Sequence, residues 1–167
     1  MAYSGRYQVI NRDKYKGDPD KVVYRSMWEK YVFIWCDTNP KVKKWSSEEI
    51  VIPYYYDVDK KYHRYFPDIF IQTEEKSILV EIKPDKETKP PTGQRRTKKY
   101  INEGLTYIKN MRKWEAAEEY CKDRKWEFQI WTEDTLIEMG LLQKKMPGKI
   151  KKPLKKMPPY RKKKSKK

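Results

Sequence analysis

Asp68, Glu81 and Lys83 are the residues of this chain whose types and spacing could do chemistry together. Two carboxylates can hold a hard divalent cation, which takes oxygen ligands. A lysine beside them can orient an attacking water or offset charge that develops on a phosphoryl group. Strand periodicity is what brings the three together. Residues 64–72 (RYFPDIFIQ) and 77–84 (SILVEIKP) are short runs rich in Ile, Val, Phe and Leu. The polar link Thr73-Glu74-Glu75-Lys76 between them punctuates a hairpin. A turn centred between Glu74 and Glu75 sets Ile71 opposite Ile78 and Ile69 opposite Val80. On the other face it sets Phe70 opposite Leu79 and Asp68 opposite Glu81. Side chains alternate along a strand, so Lys83 falls on the Glu81 face. Two opposed carboxylates cost about 0.2–1 kcal/mol or more unless a cation lies between them. The competing reading is an exposed polar strand face with a surface Glu–Lys pair.

Pro67-Asp68 followed by Glu81-Ile82-Lys83 resembles the signature of the PD-(D/E)XK nucleases, the superfamily of restriction-type DNA endonucleases. The resemblance implies that Asp68 and Glu81 bind Mg²⁺ (or Mn²⁺) and that Lys83 sits beside the attacking water. The backbone carbonyl of Ile82 could add a third oxygen. In that superfamily a glutamate on the first helix often completes the metal site, and Glu29 is the candidate here. Ser26-x-x-Glu29 also fits a capping box, which is structural, and both readings stay open. Glu48 could reach the same pocket, but an exposed strand start suits it better. His63, the single histidine, reads as a surface residue.

The elements that must carry these residues read as α-β-β-β-α-β-α. A helix is predicted from about Arg25 to Asp37, with Ser26 as N-cap and Trp28, Tyr31, Val32, Trp35 and Cys36 as its apolar stripe. Asn39-Pro40 ends it. Glu48–Tyr56 reads as a first strand, with Pro53 marking an edge position or a bulge. After the hairpin, residues 84–96 form a loop with Lys86, Lys89, Arg95 and Arg96, placed to grip phosphates. A long helix is predicted over about Thr97 to Lys122, with Ile101, Leu105, Ile108, Met111 and Cys121 near helical spacing. Trp126–Trp131 is a last strand, and Thr132-Glu133-Asp134 caps a short helix that Gly140 stops. The long helix makes a crossover, so the strands it joins should be parallel. The pattern is α/β, and the superfamily resemblance implies a restriction-endonuclease-like core, a mixed central sheet flanked by helices.

Charge divides the chain. Its 167 residues carry a formal +16, of which residues 143–167 hold +13, leaving +3 for residues 1–142. That C-terminal stretch, with Lys144, Lys145, Lys151, Lys152, Lys155 and Lys156 among its basic residues, has no acid and four prolines. It reads as a disordered tail whose partner is a polyanion, most simply double-stranded DNA. An acidic membrane suits it less, because it has little apolar content to insert. Residues 1–21 are polar, with Gly5, Gly17 and Pro19, and read as an N-terminal arm, leaving 22–142 as the nuclease domain. Cys36 and Cys121 make no zinc spacing and read as buried free thiols in a reducing compartment. No signal peptide or membrane-length apolar run is visible.

A longer set of motifs carries a closer resemblance. Met1-Ala2-Tyr3-Ser4-Gly5, Lys14-Tyr15-Lys16-Gly17-Asp18-Pro19 and Tyr24-Arg25-Ser26-x-Trp28-Glu29 come first. Trp45-Ser46-x-Glu48, Ile52-Pro53-Tyr54 and Arg64-Tyr65-Phe66-x-Asp68-Ile69 follow, and then Glu81-Ile82-Lys83-Pro84, Glu87-Thr88-x-Pro90-Pro91 and Thr132-Glu133-Asp134. In this order they resemble the head-completion proteins of large contractile-tailed phages. That family is similar to the N-terminal catalytic domain of the endonuclease subunit in heteromeric transposases. The resemblance implies metal-dependent DNA endonuclease chemistry and a role in finishing the packaged head. It also implies a place in the host cytoplasm or on the virion, and portal, neck or capsid proteins as partners. The alternatives are a virion component that binds DNA or portal on a nuclease-fold scaffold, and a transposase-type nuclease that needs a recombinase partner. The lysine tail departs from the compact family pattern.

Overall fold

A computed structural model describes residues 3–93 and 96–144. In chain order the elements are β1 (Gly5–Arg6), β2 (Val23–Tyr24), α1 (Met27–Thr38), β3 (Val42–Ser47), β4 (Ile52–Tyr56), β5 (Lys61–Tyr65), β6 (Ile69–Thr73), β7 (Ser77–Ile82), α2 (Lys98–Arg124), β8 (Glu127–Trp131) and α3 (Glu133–Glu138). The central sheet has the order β3-β6-β7-β8. Its first three strands run antiparallel, and β8 returns parallel to β7 after the α2 crossover. This is the mixed sheet with flanking helices expected for a restriction-endonuclease-like core. The β6–β7 register is the one the hydrophobic pairs select: Ile69 faces Val80, Phe70 faces Leu79 and Ile71 faces Ile78.

The sheet is covered on both faces. Ile69, Ile71, Ile78, Val80 and Ile82 pack toward α1 with Val32, Phe33, Cys36 and Trp45. Phe70 and Leu79 pack on the opposite side with Trp114, Ala117 and Cys121 of α2 and with Ile52, Tyr54, Tyr56 and Tyr65. Both cysteines are buried free thiols, and burial pushes the Cys121 thiol up to about 11.

Several elements differ from the pattern read in the sequence. Of the strand expected over Glu48–Tyr56 only Ile52–Tyr56 is a strand, and the central sheet instead takes an unexpected strand, β3, from just before it. β3 ends at Ser47 in the central sheet, Glu48 turns the chain at φ +53, and β4 starts at Ile52. β4 pairs with β5 in a separate two-stranded ribbon, which gives Pro53 the edge position anticipated for it. The helix stripe on α2 also shifts. Asn110, Trp114, Ala117 and Cys121 are its buried residues, whereas Ile101, Leu105 and Ile108 are exposed.

Residues 3–21 do not trail away from the body. Tyr7, Val9 and Tyr15 lie in the α1-side core. The fully buried Asp37, at the end of α1, ties this segment down. Its carboxylate accepts from the Tyr7 hydroxyl at 2.8 Å, the Ile10 N–H at 2.7 Å and the Asn11 N–H at 2.9 Å. An acid is unfavourable in a last helical turn, and these three donors offset that cost.

Candidate active site

Asp68 precedes β6, while Glu81 and Lys83 lie at and just beyond the C-terminal end of β7. The hairpin therefore opposes the two carboxylates, as its register requires. The Ile82 N–H donates to Asp68 Oδ2 at 2.7 Å and carries the pairing one step past the ladder. In an extended strand the N–H and C=O of one residue point to the same side, so the Ile82 carbonyl also faces the Asp68 strand. Lys83 N–H donates to the Trp131 carbonyl at 3.0 Å, which fixes the strand end against β8. The site thus sits beyond the carboxyl ends of the parallel pair, where open α/β sheets place their ligands.

Glu81 is buried, and only one of its oxygens accepts a side-chain hydrogen bond among the described residues. Tyr65, from the end of the ribbon, donates its hydroxyl to Oε2 at 2.5 Å. The Lys83 ammonium stands 3.7 Å from Oε1, an ion pair too long to be a hydrogen bond. Burial pushes the Glu81 carboxyl up, while Tyr65, Lys83 and Lys113 pull it back down. Asp68 lies deep among protein atoms but keeps an opening to solvent. Its carboxyl is pushed well above the usual carboxylate range, first by burial and then by the Glu81 charge; the Ile82 N–H opposes this. The protein alone therefore holds two carboxyls that resist ionising together.

Glu29 opens α1 at the same end of the sheet. Its N–H donates to Ser26 Oγ at 3.2 Å, the N-cap half of the expected capping box, but its Oε2 accepts at 2.9 Å from the N–H of Arg25, the residue before the cap, instead of from Ser26. Burial pushes its carboxyl up, and the Glu48 and Glu81 charges add to the push. Among the described residues no three His, Cys, Asp or Glu side chains gather as one ligand group. Glu48 is held by Arg25 through contacts of 3.0 and 3.2 Å, so it is tied up in a forked ion pair.

Two further residues reach this site: Tyr65, which lies in the Arg64-Tyr65-Phe66-x-Asp68-Ile69 motif but carries no assigned role there, and Lys113, which lies in no motif. Tyr65 comes from the ribbon and Lys113 from α2. The Lys113 ammonium lies 5.6 Å from the Tyr65 ring centroid. Next to it, the Trp114 indole N–H lies beside the Tyr65 hydroxyl but makes no hydrogen bond among the described residues. Of the basic residues expected to grip phosphates, Lys86 and Lys89 line a cleft of about 860 Å³ between the loop after β7 and α2. Lys89 also pairs with Asp85 at 2.9 Å. The lining of that cleft does not include Asp68, Glu81 or Lys83. Arg96 and Lys144 are exposed. Arg95, Lys145, Lys151, Lys152, Lys155 and Lys156 lie outside the described residues.

A family described as TnsA-like endonuclease N terminal matches residues 39–133, the stretch that carries every strand of the central sheet and α2. The chain belongs to this endonuclease family. Within it, Asp68, Glu81 and Lys83 fall inside the matched segment, and Glu29 lies before it. The chain is also 42% identical over 146 residues to the head completion nuclease of Enterobacteria phage T4, covering 84% of this chain and 97% of that protein. No solved structure matches. No helix among the described residues is long and apolar enough to cross a membrane.

Proposed function

We propose that this protein is a metal-dependent DNA endonuclease that acts in phage head completion. The observation that carries the chemistry is the convergence of Asp68, Glu81 and Lys83 at one end of the sheet, with both carboxyls pushed up by burial. The donor set suits Mg²⁺ or Mn²⁺. Two carboxylates and the Ile82 carbonyl offer oxygens only, and they leave room for the waters that Mg²⁺ keeps. The ion would supply Lewis-acid charge to the scissile phosphate and the attacking water.

The protein's own residues do the positioning. Asp68 is set by the Ile82 N–H and Glu81 by the Tyr65 hydroxyl, so both carboxylates are aimed before any ion arrives. Lys83 sits where its ammonium can orient a water for attack or hold charge on the phosphoryl oxygens. Glu29 adds negative field next to Asp68 from the cap of α1. The +13 of residues 143–167 supplies attraction to duplex DNA without regard to sequence. Similarity to a protein named for head completion supports the biological role, in the host cytoplasm during infection.

Plasmid cleavage tests the reading. Supercoiled DNA should be cut with Mg²⁺ or Mn²⁺ and left intact with EDTA. Asp68→Ala should lose most of the activity, on the order of a thousandfold or more for removal of such a ligand. Cleavage by Asp68→Ala at the wild-type rate would remove the carboxylate pair from the mechanism.

A further inference from the structure

Lys113 and Lys109 lie one helical turn apart on α2, and each places its ammonium over a tyrosine of the β4–β5 ribbon. Lys113 lies 5.6 Å from the Tyr65 ring centroid and Lys109 lies 5.3 Å from that of Tyr56. Both are half-buried, and neither forms an ion pair among the described residues. Other basic side chains on this molecule behave differently. Arg112, between them in sequence, is engaged by Asp57 at 3.1 Å and by Glu115 at 3.2 Å. Lys99, further along α2, meets Glu103 at 3.9 Å.

The surroundings of Lys113 are mixed in sign. Glu81 and Asp68 face it from β7 and the start of β6, while Lys83 and Lys109 face it from β7 and its own helix. Burial lowers its affinity for a proton, and the two like charges add to that. The Glu81 carboxyl feels Lys83 first and Lys113 second. Lys83 and Lys113 therefore flank the carboxylates, and Lys109 stands one turn away from Lys113 on α2, over the ribbon. Residues at i and i+4 on a helix have Cβ atoms about 6 Å apart, the scale of neighbouring phosphates on one strand. An ammonium that is partly desolvated, flanked by like charges and joined to no carboxylate in an ion pair is stabilised by an incoming anion.

We infer that Lys113 and Lys109 form a backbone-binding track that seats the phosphates of the cut DNA strand next to the one held at Asp68, Glu81 and Lys83. The inference rests on the endonuclease reading for the identity of its ligand. The aromatic rings beneath the two ammonium groups hold them in place through cation–π contact. Tyr65 has two tasks in this arrangement: its hydroxyl aims Glu81, and its ring supports Lys113. The track carries no sequence information, because phosphate contacts position a strand and do not read it.

Duplex affinity measured in EDTA over a salt series tests the track without any need for cleavage. The full chain would be compared with Lys113→Gln, Lys109→Gln, the double variant and Lys113→Arg, using a fluorescent duplex and checking each variant's melting temperature. Each lost phosphate contact should flatten the slope of log K against log salt by about 0.9, and the double variant by about twice that. Lys113→Arg should restore the slope. In Mg²⁺, Lys113→Gln should raise KM more than it lowers kcat. A slope equal to wild type in the double variant overturns the proposal, whatever cleavage does. Loss of kcat with an unchanged slope would overturn it too, by making Lys113 a partner of the carboxylates alone. If the wild type binds with the expected slopes but never cuts, the endonuclease reading fails and the track stands.

Discussion

Asp37 and the Asp68–Glu81 pair are acids set inside the same small domain, and they are treated in opposite ways. Asp37 is fully buried and receives three donors, one from a tyrosine and two from backbone, at 2.7–2.9 Å. Glu81 is buried and receives one hydroxyl and one distant ammonium, while Asp68 receives one backbone N–H. The first acid is satisfied by the protein alone. The second pair has its charge opposed by burial and by itself. A buried acid that is satisfied holds structure together, whereas one left short of partners points to something that arrives from outside.

The comparison breaks most visibly at Asp37. Asp37→Ala leaves the Tyr7 hydroxyl and the Ile10 and Asn11 N–H groups without their acceptor, so it should cost about 3 kcal/mol of stability. Urea unfolding would measure it, and the folded fraction should cut DNA at the wild-type rate. A loss of under about 0.5 kcal/mol would mean that the N-terminal segment is not anchored there.

Tyr65→Phe sharpens the contrast from the other side. It keeps the ring and removes the donor to Glu81 Oε2. Cleavage should fall about tenfold, the worth of one good hydrogen bond. The hydroxyl holds the Glu81 carboxyl down, so its loss should move the acid limb of the pH–rate profile to higher pH. A merely structural tyrosine would leave that limb in place.

The smallest effect concerns stability without metal. A carboxyl raised in the folded state stabilises fully below its unfolded pKa, near 4, and that contribution is lost as pH rises through the raised value. In the metal-free wild type the contribution of this pair to stability should therefore fall from about pH 4 toward neutrality. Asp68→Asn removes one charge of the pair and should be more stable than wild type at neutral pH by about 1 kcal/mol. The gain should shrink on acidification, and Mg²⁺ should reverse the ranking. Melting curves at several pH values, with and without Mg²⁺, check all three signs.

The hairpin is legible because its two strands are short continuous apolar runs, buried on both faces, and its turn is plainly polar. One register satisfied every pair, and the carboxylates followed from it. β3 was not legible. A register shift between Val42 and Lys44 breaks its alternation, so Lys43 and Lys44 both face solvent and the run reads as loop. β5 was missed because, of its five residues, only Tyr65 is buried. The α2 stripe holds at its C-terminal end, where Cys121 is buried and Met111 packs on the core, and fails at its N-terminal end, where Ile101, Leu105 and Ile108 are exposed. Tyr65 and Lys113 reach the site through tertiary packing of the ribbon against α2, and no spacing in the chain encodes that meeting. Glu29 shows the reverse limit, since its capping bonds and its place beside Asp68 come from the same position on α1.

The parallel pairing of β7 with β8 also sets an order of assembly. Asp68 and Glu81 belong to one short hairpin, whose closure links residues close in the chain. Lys113 arrives only after the chain has left β7 and built α2, and β8 docks later still. Contacts between distant residues form more slowly, because a longer loop must be closed before they reward the chain. The two like charges therefore meet before α2 can bring its cation. During that interval Lys83, two residues from Glu81, is the one cation that offsets the repulsion within the hairpin, and a divalent ion in solution would add what α2 has yet to bring. The same residues proposed to hold the ion for catalysis would then make it a participant in folding.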